Sequence, residues 1–390
     1  MFEWLVVGGG IHGVHIAARL IAEARVDPDQ IRIVDPEPLL ARWKANTAAT
    51  GMRHLRSPIV HHLDLTASSL RWFAAQLKAG QADLFAPPYD RPVLALFNQH
   101  SDYVIRKYGL DRCHVAESVA HISPVSGGLK VQSETAKVRK TRRVVLATGL
   151  SDQPWRPAWA RSHPAIHHLF DREPGQSMHC ADQVAVVGGG ISAAQVSLRL
   201  IEQGVFVHLV MRHRLRVHQF DSDPGWLGPK YMRAFARSSD YEQRRAMIAQ
   251  ARHRGSVSDV IGSAIERAVE QGRLHLHQSE VETVTPCAGV LKVKLACGAS
   301  FQAERILLAT GFCDHRPGGK LVDRLVEQFE LPTAGCGYPI VDRYLRWHPR
   351  IFTAGPLAEL ELGPVARNIA GARRGADRLV GFALNKAGRG

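Results

Sequence analysis

Glycine-rich turns at two places in the chain have the composition needed to bring the backbone close to a phosphate. They are Gly8-Gly9-Gly10-Ile11-His12-Gly13 and Gly188-Gly189-Gly190-Ile191-Ser192-Ala193, each preceded by an apolar run. In the first turn, Gly8, Gly10 and Gly13 have the spacing G-x-G-x-x-G. A Cβ atom in such a turn would keep a pyrophosphate away from the backbone N–H groups and the helix N-terminus. Each turn therefore predicts a dinucleotide-binding βαβ unit.

The two units differ in charge where their next strand ends. Asp35 and Pro36 follow the apolar run 31–34, and an acid at this point can accept a hydrogen bond from a ribose hydroxyl. The second unit has basic residues after its corresponding strand, namely Arg212, His213 and Arg214. Because a guanidinium fork suits a phosphate, these residues favour NADPH over NADH. The alternative is a basic strand end that binds nothing.

An internal repeat supports two units of the same kind. The segment 119–131 aligns without gaps on 281–293, at an offset of 162 residues. The same offset carries Leu146-Ala147-Thr148-Gly149 onto Leu308-Ala309-Thr310-Gly311. Each copy is therefore predicted to contain a βαβ unit, a small antiparallel sheet and a returning strand. We expect the ends of the returning strands, Thr148, Gly149, Thr310 and Gly311, among the nucleotide-binding residues.

The first copy contains extra chain. The glycine turns are offset by 180 residues but the later segments by only 162, and the extra residues fall in 36–116, which shows no clear alternation of strand and helix. A strand ending at Gly355-Pro356 and a helix from about Pro364 to Leu384 close the chain. We predict an α/β fold with two Rossmann-like three-layer domains.

Composition limits the classes of function. The chain has 50 Lys and Arg against 36 Asp and Glu, a formal net charge of +14, and 45% hydrophobic residues, as in an ordinary globular protein. The basic residues are spread along the chain, which favours a basic surface over a nucleic-acid, membrane or acidic partner. The six cysteines show no metal-ligand spacing, and no metal is expected. Glycine and histidine interrupt the apolar run 5–21, so we expect no membrane span and a cytoplasmic location.

Together, the two glycine turns, the paired Ala-Thr-Gly returns and the late Gly355-Pro356 resemble the two-dinucleotide-binding-domain flavoproteins. The resemblance covers nearly the whole chain and implies that the first copy binds FAD and the middle copy binds NAD(P)H. It also implies that Gly355, Pro356 and the turn near Pro364 approach the flavin ring. The second domain is then inserted in the first. The predicted boundaries are 1–152 and 314–390 for the FAD domain, 36–116 for a flavin and substrate segment within it, and 153–313 for the NAD(P)H domain.

Within that superfamily the chain is more similar to the class B flavin monooxygenases, especially the lysine and ornithine N-hydroxylases. It lacks the C-x-x-C or C-x4-C pair of the disulfide reductases, and it has long segments after both βαβ units. The resemblance implies N- or S-hydroxylation of a small metabolite by O₂ through a C4a-peroxyflavin, with NADPH as reductant. Two alternatives stay open: an NAD(P)H-dependent reductase or oxidase acting on a quinone, small disulfide or O₂, and a non-catalytic redox sensor. The oligomeric state is also open, with a homodimer as one option.

The segment 36–116 carries the densest cluster of polar residues outside the glycine turns. We expect Arg53, His54 and Leu55 to contact FAD. His61 or His62 is the candidate that donates a hydrogen bond to the oxygenated flavin or takes a proton from the substrate. The alternative is a solvent-facing loop. A metal is not expected at His61-His62, because adjacent side chains rarely converge and no acid accompanies them.

Overall fold

The structure, a computed structural model, describes residues 1–77, 84–160, 163–172 and 181–387. The strands in these residues are β1 (Phe2–Val7), β2 (Ile31–Val34), β3 (Phe85–Ala86), β4 (Arg91–Pro92), β5 (His114–Val115), β6 (Val119–Val125), β7 (Gly128–Ser133), β8 (Val138–Leu146), β9 (Ile166–His168), β10 (Gln183–Val187), β11 (Phe206–Met211), β12 (Arg216–Val217), β13 (Ser256–Val257), β14 (Leu274–Gln278), β15 (Val281–Cys287), β16 (Val290–Leu295), β17 (Ser300–Ala303), β18 (Arg305–Leu308), β19 (Arg346–His348) and β20 (Ile351–Thr353). The helices are α1 (Ile11–Ala22), α2 (Ala41–Thr50), α3 (Ser69–Gln76), α4 (Leu94–Lys107), α5 (Leu110–Cys113), α6 (Ile191–Glu202), α7 (Pro229–Arg237), α8 (Tyr241–Ala251), α9 (Asp259–Glu270), α10 (Gly319–Phe329), α11 (Glu359–Leu362) and α12 (Ile369–Ala387).

The first sheet has the order β19-β20-β8-β1-β2-β5, and its four pairings from β20 to β5 are parallel. Strands β6 and β7 extend it as an antiparallel meander that joins β8. Helices α1, α4 and α12 cover one face, and the meander with α10 covers the other. Because both faces are covered, β1 is an apolar run whose last four residues are buried.

The second sheet is parallel throughout, with the order β14-β11-β10-β18-β9. Helices α6 and α9 pack on one face. The separate antiparallel sheet β15-β16-β17 packs on the other. Two three-layer α/β units are therefore present, as the sequence predicted, and strands of the first sheet come from both ends of the chain.

The internal repeat is confirmed residue by residue. Helices α1 and α6 begin 180 residues apart and have equal lengths. The meander strands β6 and β15 begin 162 residues apart, and both ladders carry a register shift at the same point, between Val119 and His121 and between Val281 and Thr283. A shared irregularity of this kind indicates that the two units are copies of one structural design.

Within 36–116 the sequence predicts two helices, over 68–78 and 94–108, but the segment also contains α2 and the short helix α5. Its longer helices are α2, α3 and α4, and its end returns to the first sheet as β5. Helix α2 escaped prediction because only Thr47 and Thr50 are buried on it, so no apolar stripe marks its face. Its C-terminal end rests on the second unit, where the Arg199 guanidinium donates to the Ala48 carbonyl at 2.9 Å. The predicted end of α3 at Lys78 lies outside the described residues.

The sequence did not predict helix α7, and it placed the start of the last helix too early. The aromatic segment after β11 contains α7, and Trp226 and Phe235 are buried in a satellite core with Tyr338 and Leu360. These aromatic residues therefore hold the excursion to the C-terminal part of the chain. The last helix starts later than predicted, because Pro364–Arg367 forms a 3-10 turn before α12. No helix among the described residues is long and apolar enough to cross a membrane.

Candidate active site

A cleft of about 1460 Å³ lies where the carboxyl ends of the two parallel sheets face each other. This is the edge at which α/β sheets bind ligands, because the loops there are free of the helical crossovers. Many of the residues predicted from sequence line it, namely Gly8, Gly10, Ile11, His12, Asp35, Pro36, Thr148, Gly149, Gly188, Gly190, Ile191, Ser192, Arg212, His213, Thr310, Gly311 and Pro356.

The first glycine turn leaves room for a ligand where a side chain would fill it. Gly8 has φ +111°, and a Cβ there would lie 2.3 Å from the Ala147 carbonyl oxygen. A Cβ on Gly13 would lie 1.9 Å from the Gly8 carbonyl oxygen, whereas one on Gly10 would meet nothing within 4 Å. Helix α1 begins at this point without a side-chain cap. Its free N–H groups and positive dipole end suit a pyrophosphate.

Asp35 is held in place beside the first turn. Its Oδ2 accepts a hydrogen bond from the Gly9 N–H at 2.7 Å, and its Oδ1 accepts one from the Glu37 N–H at 2.9 Å. The carboxylate retains lone pairs toward the cleft, because each oxygen can accept more than one hydrogen bond. The position and negative charge of the Asp35 carboxylate suit a hydrogen bond from a ribose hydroxyl.

His12 contributes a neutral imidazole to the same end of the cleft. Burial lowers its pKa to about 4, and the nearby Arg367 carbonyl offsets part of this shift. Neither of its ring nitrogens, nor the Thr148 hydroxyl, makes a hydrogen bond of normal geometry within the described residues. Its ring packs on Gly355, where a Cβ would lie 3.4 Å away. Buried polar atoms without partners are costly, so they indicate a site for a polar ligand.

The second glycine turn repeats the first in detail. Gly188 has φ +155°, and a Cβ there would lie 2.4 Å from the Ala309 carbonyl oxygen, the counterpart of Ala147. The imidazole of His213 lies over this turn, 2.9 Å from the position of a Cβ on Gly189. Arg212 and Arg216 line the cleft beside it, whereas Arg214 is exposed and does not. The charge at this end of the cleft is therefore positive.

A basic loop that follows α8 closes the cleft between the two turns. Arg252 lines the cleft, and its Nε and Nη1 atoms have no hydrogen-bond partner in the described residues. Burial lowers the pKa of its guanidinium, and the neighbouring Arg367 lowers it further. The carboxylates of Asp221 and Glu359 act in the opposite direction, and the two free donor atoms of Arg252 suit an anionic ligand. Arg254 also lines the cleft and donates two hydrogen bonds to Asp314, at 3.0 and 2.9 Å.

A buried carboxylate fixes the C-terminal wall. Glu359 is fully buried and accepts two hydrogen bonds from Arg367, at 2.6 Å to Oε2 and 2.8 Å to Oε1. Arg245 of α8 pairs with the same carboxylate and stacks on Tyr338. Burial alone would raise the pKa of Glu359, but the two guanidinium groups lower it below its usual range. This network joins α8 to the turn that carries Gly355 and Pro356.

Several predicted site residues do not line the cleft. Arg53 is on the surface, where it pairs with Glu202 at 2.8 Å, and His54 makes a β-bridge with Val93. Leu55 is part of the first core. The remaining residues of this kind are Gly13, Gly355 and Pro364, which are buried behind the cleft wall, and the exposed Arg214. Of the four residues 53–56, it is Arg56 that lines the cleft, and its guanidinium donates to the carbonyls of residues 218 and 219.

His61 and His62 also lie outside the cleft lining. His62 is fully buried, its Nε2 donates to the Ala67 carbonyl at 3.0 Å, and its Nδ1 accepts the Asp64 N–H at 3.2 Å. Burial lowers its pKa to about 4. It belongs to a network around Asp64, which also pairs with Lys107 at 2.8 Å. A histidine with both nitrogens engaged in its own loop has no free atom to offer a substrate, so this geometry gives a catalytic role no support.

The sequence argument missed Arg252, Arg254 and Arg367 as cleft residues. No spacing marks them, because they reach the cleft from the end of α8 and from the turn before α12. One signal was present for the first two. The basic run Arg252-His253-Arg254 ends at Gly255, where a Cβ would lie 2.5 Å from His213. Gly255 must be a glycine because His213 of the second turn packs against it. This requirement indicates that the basic run lies beside the second turn.

Comparisons with known families agree with this architecture. A family model described as FAD-NAD(P)-binding matches residues 5–151, and one described as pyridine nucleotide-disulphide oxidoreductase matches residues 95–252. A comparison of the sequence with curated proteins gave no match.

Solved structures resemble the chain over nearly its whole length. The ornithine hydroxylase of Pseudomonas aeruginosa has a TM-score of 0.76 at 18% identity, covering 98% of this chain and 99% of that one. The FAD-bound cadaverine monooxygenase of Erwinia amylovora has a TM-score of 0.76 at 17% identity, covering 99% and 95%. A bacillithiol disulfide reductase of Bacillus cereus has a TM-score of 0.65 at 15% identity, covering 99% of both chains.

The chain has the fold of the two-dinucleotide-binding-domain flavoproteins, and residues 5–151 match the FAD-NAD(P)-binding family model. The fold predicted from the glycine turns and the repeat is thereby confirmed, and the predicted superfamily agrees with the two matched family models. The cofactor chemistry predicted for the chain, FAD with a pyridine nucleotide, agrees with the matched families.

Proposed function

We propose that the protein is an FAD- and NADPH-dependent monooxygenase that hydroxylates a nitrogen or sulfur atom of a small metabolite with O₂. The single observation that carries the proposal is the shared cleft, in which an acidic nucleotide site and a basic one face the same space. Likeness to the ornithine and cadaverine hydroxylases supports the monooxygenase class. When bound, FAD reduced by NADPH supplies activated oxygen, and the protein provides the surroundings.

FAD fits the first turn. The free N–H groups of α1 receive its pyrophosphate, and Asp35 binds a ribose hydroxyl. His12 and Thr148 then gain the polar partner that they lack among the described residues. His12 remains neutral at physiological pH, because its pKa is about 4, so it can donate one hydrogen bond without adding charge.

NADPH fits the second turn. Arg212 and Arg216 lie where the 2′-phosphate of the nucleotide would be, and His213 covers the turn. Arg252 supplies the unpaired positive charge for an anionic group of the nucleotide or of the substrate. Arg254 is already neutralised by Asp314, so it contributes less attraction to an anion.

The second candidate function, a disulfide reductase, has the support of the reductase structures and of one family model. Such an enzyme needs a pair of thiols beside its flavin. Among the described residues that line the cleft there is no cysteine. This observation favours transfer of oxygen over exchange with a disulfide.

The test compares products under air and under anaerobic conditions. Purified protein with FAD is given NADPH and a panel of small diamines, amino acids and thiols. We expect O₂ and NADPH to be consumed in equal amounts, with one oxygen atom added to one of the substrates by mass spectrometry. NADPH oxidation that continues without O₂ when a quinone or disulfide is supplied, with no oxygenated product under air, would overturn the proposal.

Domain limits and location form part of the same proposal. We place the FAD domain at 1–152 and 314–390, with the segment 36–116 within it, and the NADPH domain at 153–313. The sheet memberships support these limits, since β1, β2, β5 to β8, β19 and β20 form one sheet and β9 to β11, β14 and β18 form the other. The described cysteines are unpaired, which supports the cytoplasm as location.

A further inference from the structure

Three histidines converge on one face of the second sheet, outside the cleft. His208 of β11 is the direct neighbour of His275 in the parallel ladder with β14, and His277 lies two residues further along β14. Because alternate residues of a strand share a face, all three side chains project on the same side. Their ligand atoms lie within 4.8 Å of one another. Strand pairing, and no motif of the sequence, creates this cluster.

Aromatic residues hold two of the rings in position. Phe301 of β17 stacks on His208 with ring centroids 4.2 Å apart and on His277 with centroids 4.6 Å apart, both at 15°. Phe206 contacts His208 and His275 by its edge, each at 5.1 Å. Fixed ring planes reduce the entropy lost when a ligand binds, so the cluster is partly preorganised.

The distances between the imidazole nitrogen atoms suit a metal ion. The Nδ1 atom of His208 and the Nε2 atom of His277 are 3.0 Å apart. Two ligands of a tetrahedral zinc ion, with bonds of about 2.0–2.1 Å, lie roughly 3.3 Å from each other. His275 is exposed, so its ring is free to turn by the small amount that would bring its nitrogen to the same distance. The exposed side leaves a fourth position open to water.

We propose that His208, His275 and His277 bind a divalent transition-metal ion of the zinc class, with solvent as the fourth ligand. Three neutral imidazoles without a carboxylate select such ions over calcium or magnesium, which require oxygen ligands. The ion replaces the proton shared between His208 and His277. It ties β14, the edge strand of the second sheet, to β11. The site is independent of the proposed reaction.

Zinc titration of the FAD-loaded, tag-free protein tests the site. By isothermal titration calorimetry with ZnCl₂ we expect one ion per chain, together with a rise in the melting temperature. His275→Ala removes an exposed ligand and leaves the core intact, and we expect it to weaken zinc binding by about tenfold or more. His121→Ala, on the meander strand β6 of the first unit, serves as the matched control and should bind zinc as the unaltered protein does.

A double variant separates this site from other histidines of the chain. His208→Asn combined with His277→Asn should abolish the stoichiometric heat while the flavin spectrum stays unchanged. The proposal is overturned if no zinc binds at stoichiometric concentration, which would leave a hydrogen-bonded histidine pair under Phe301. It is equally overturned if His275→Ala and the double variant bind zinc as tightly as the His121→Ala control.

Discussion

At the scale of single residues, the glycines of the first turn serve two different purposes. A Cβ on Gly13 would collide with the protein itself, 1.9 Å from the Gly8 carbonyl oxygen, whereas one on Gly10 would meet no protein atom within 4 Å. Gly13 is therefore required by the fold. No described residue requires a glycine at position 10, and under the proposed function the FAD pyrophosphate does.

Alanine substitutions separate these purposes. We expect Gly13→Ala to destabilise the apoprotein by about 3 kcal/mol or more, since backbone must move. Gly10→Ala should cost less than about 1 kcal/mol in the apoprotein and weaken FAD binding about tenfold or more, because one charge-assisted hydrogen bond is lost. Urea unfolding of the apoproteins and titration with FAD measure both quantities. Equal loss of stability in the two variants would contradict the interpretation.

Arg212 and Arg214 form a matched pair for testing the choice between NADPH and NADH. Arg212 lines the cleft and Arg214 does not, although both are exposed and two residues apart. We expect Arg212→Ala to raise the KM for NADPH about tenfold with little change for NADH, because a contact to the 2′-phosphate is lost. Arg214→Ala is the control and should leave both constants unchanged. Steady-state kinetics with NADPH and NADH measures these constants. Equal effects of both substitutions would indicate only a general attraction between positive charge and the nucleotide.

At the scale of elements, one side chain of the last helix holds the inserted segment. Arg373 of α12 donates to the carbonyls of His62, Asp64 and Leu65, at 3.1, 2.6 and 3.1 Å. These carbonyls belong to a loop that contains no strand or helix, and Lys107 of α4 also contacts this loop through Asp64. The loop is thereby tied to the first sheet's outer helix layer.

Removal of this anchor should loosen the loop. We expect Arg373→Ala to lower stability by roughly 2–4 kcal/mol, because several buried carbonyls lose a charged donor. Hydrogen exchange of residues 61–66 should become faster, while the glycine turns stay protected. Arg106→Ala on the exposed face of α4 is the control and should change neither. Unchanged exchange in the Arg373 variant would show that other contacts carry the loop.

How far the sequence predicts these elements depends on whether their residues carry a periodic or repeated signal. β1, α1 and their copies were predictable because apolar runs meet glycine at fixed spacing, and α4 because its apolar stripe ends at Gly109. Helix α2 carries no such stripe. The positions of Arg252 and Arg367 depend on how separate loops pack together in the folded chain. Local patterns in the sequence contain no information on that packing.

At the scale of the whole molecule, buried neutral histidines couple stability to pH. Burial lowers the pKa of His15 and His100 to about 3 and those of His62 and His168 to about 4, from 6.5. The charged neighbours of these rings add smaller effects, Arg373 lowering and Asp64 raising the pKa of His62. Below pH 6.5 the unfolded chain therefore binds protons that the folded chain does not. The contribution of these histidines to the free energy of unfolding is therefore complete above pH 6.5 and is lost as the pH is lowered toward 4.

The free energy of unfolding should therefore depend steeply on pH. Each such histidine contributes up to about 1.4 kcal/mol per pH unit in this window. Urea midpoints measured from about pH 7.5 to about pH 4.5 should decrease steadily, with several protons taken up on unfolding. A midpoint that stays constant or rises between pH 6.5 and 5 would show that these rings are not neutral in the folded protein.

The pairing of β20 with β8 has a consequence for synthesis of the chain. Ile351 lies beside Val144 in this ladder, so the first sheet receives its strand only after the entire second sheet has been made. During translation of the intervening residues, β7 covers the first part of this side of β8, but Val144, Val145 and Leu146 have no partner there, and open edges invite pairing with other chains. A nascent chain of this architecture completes its inner unit first. The first sheet therefore stays incomplete, with this short edge open, until the second unit has been synthesised.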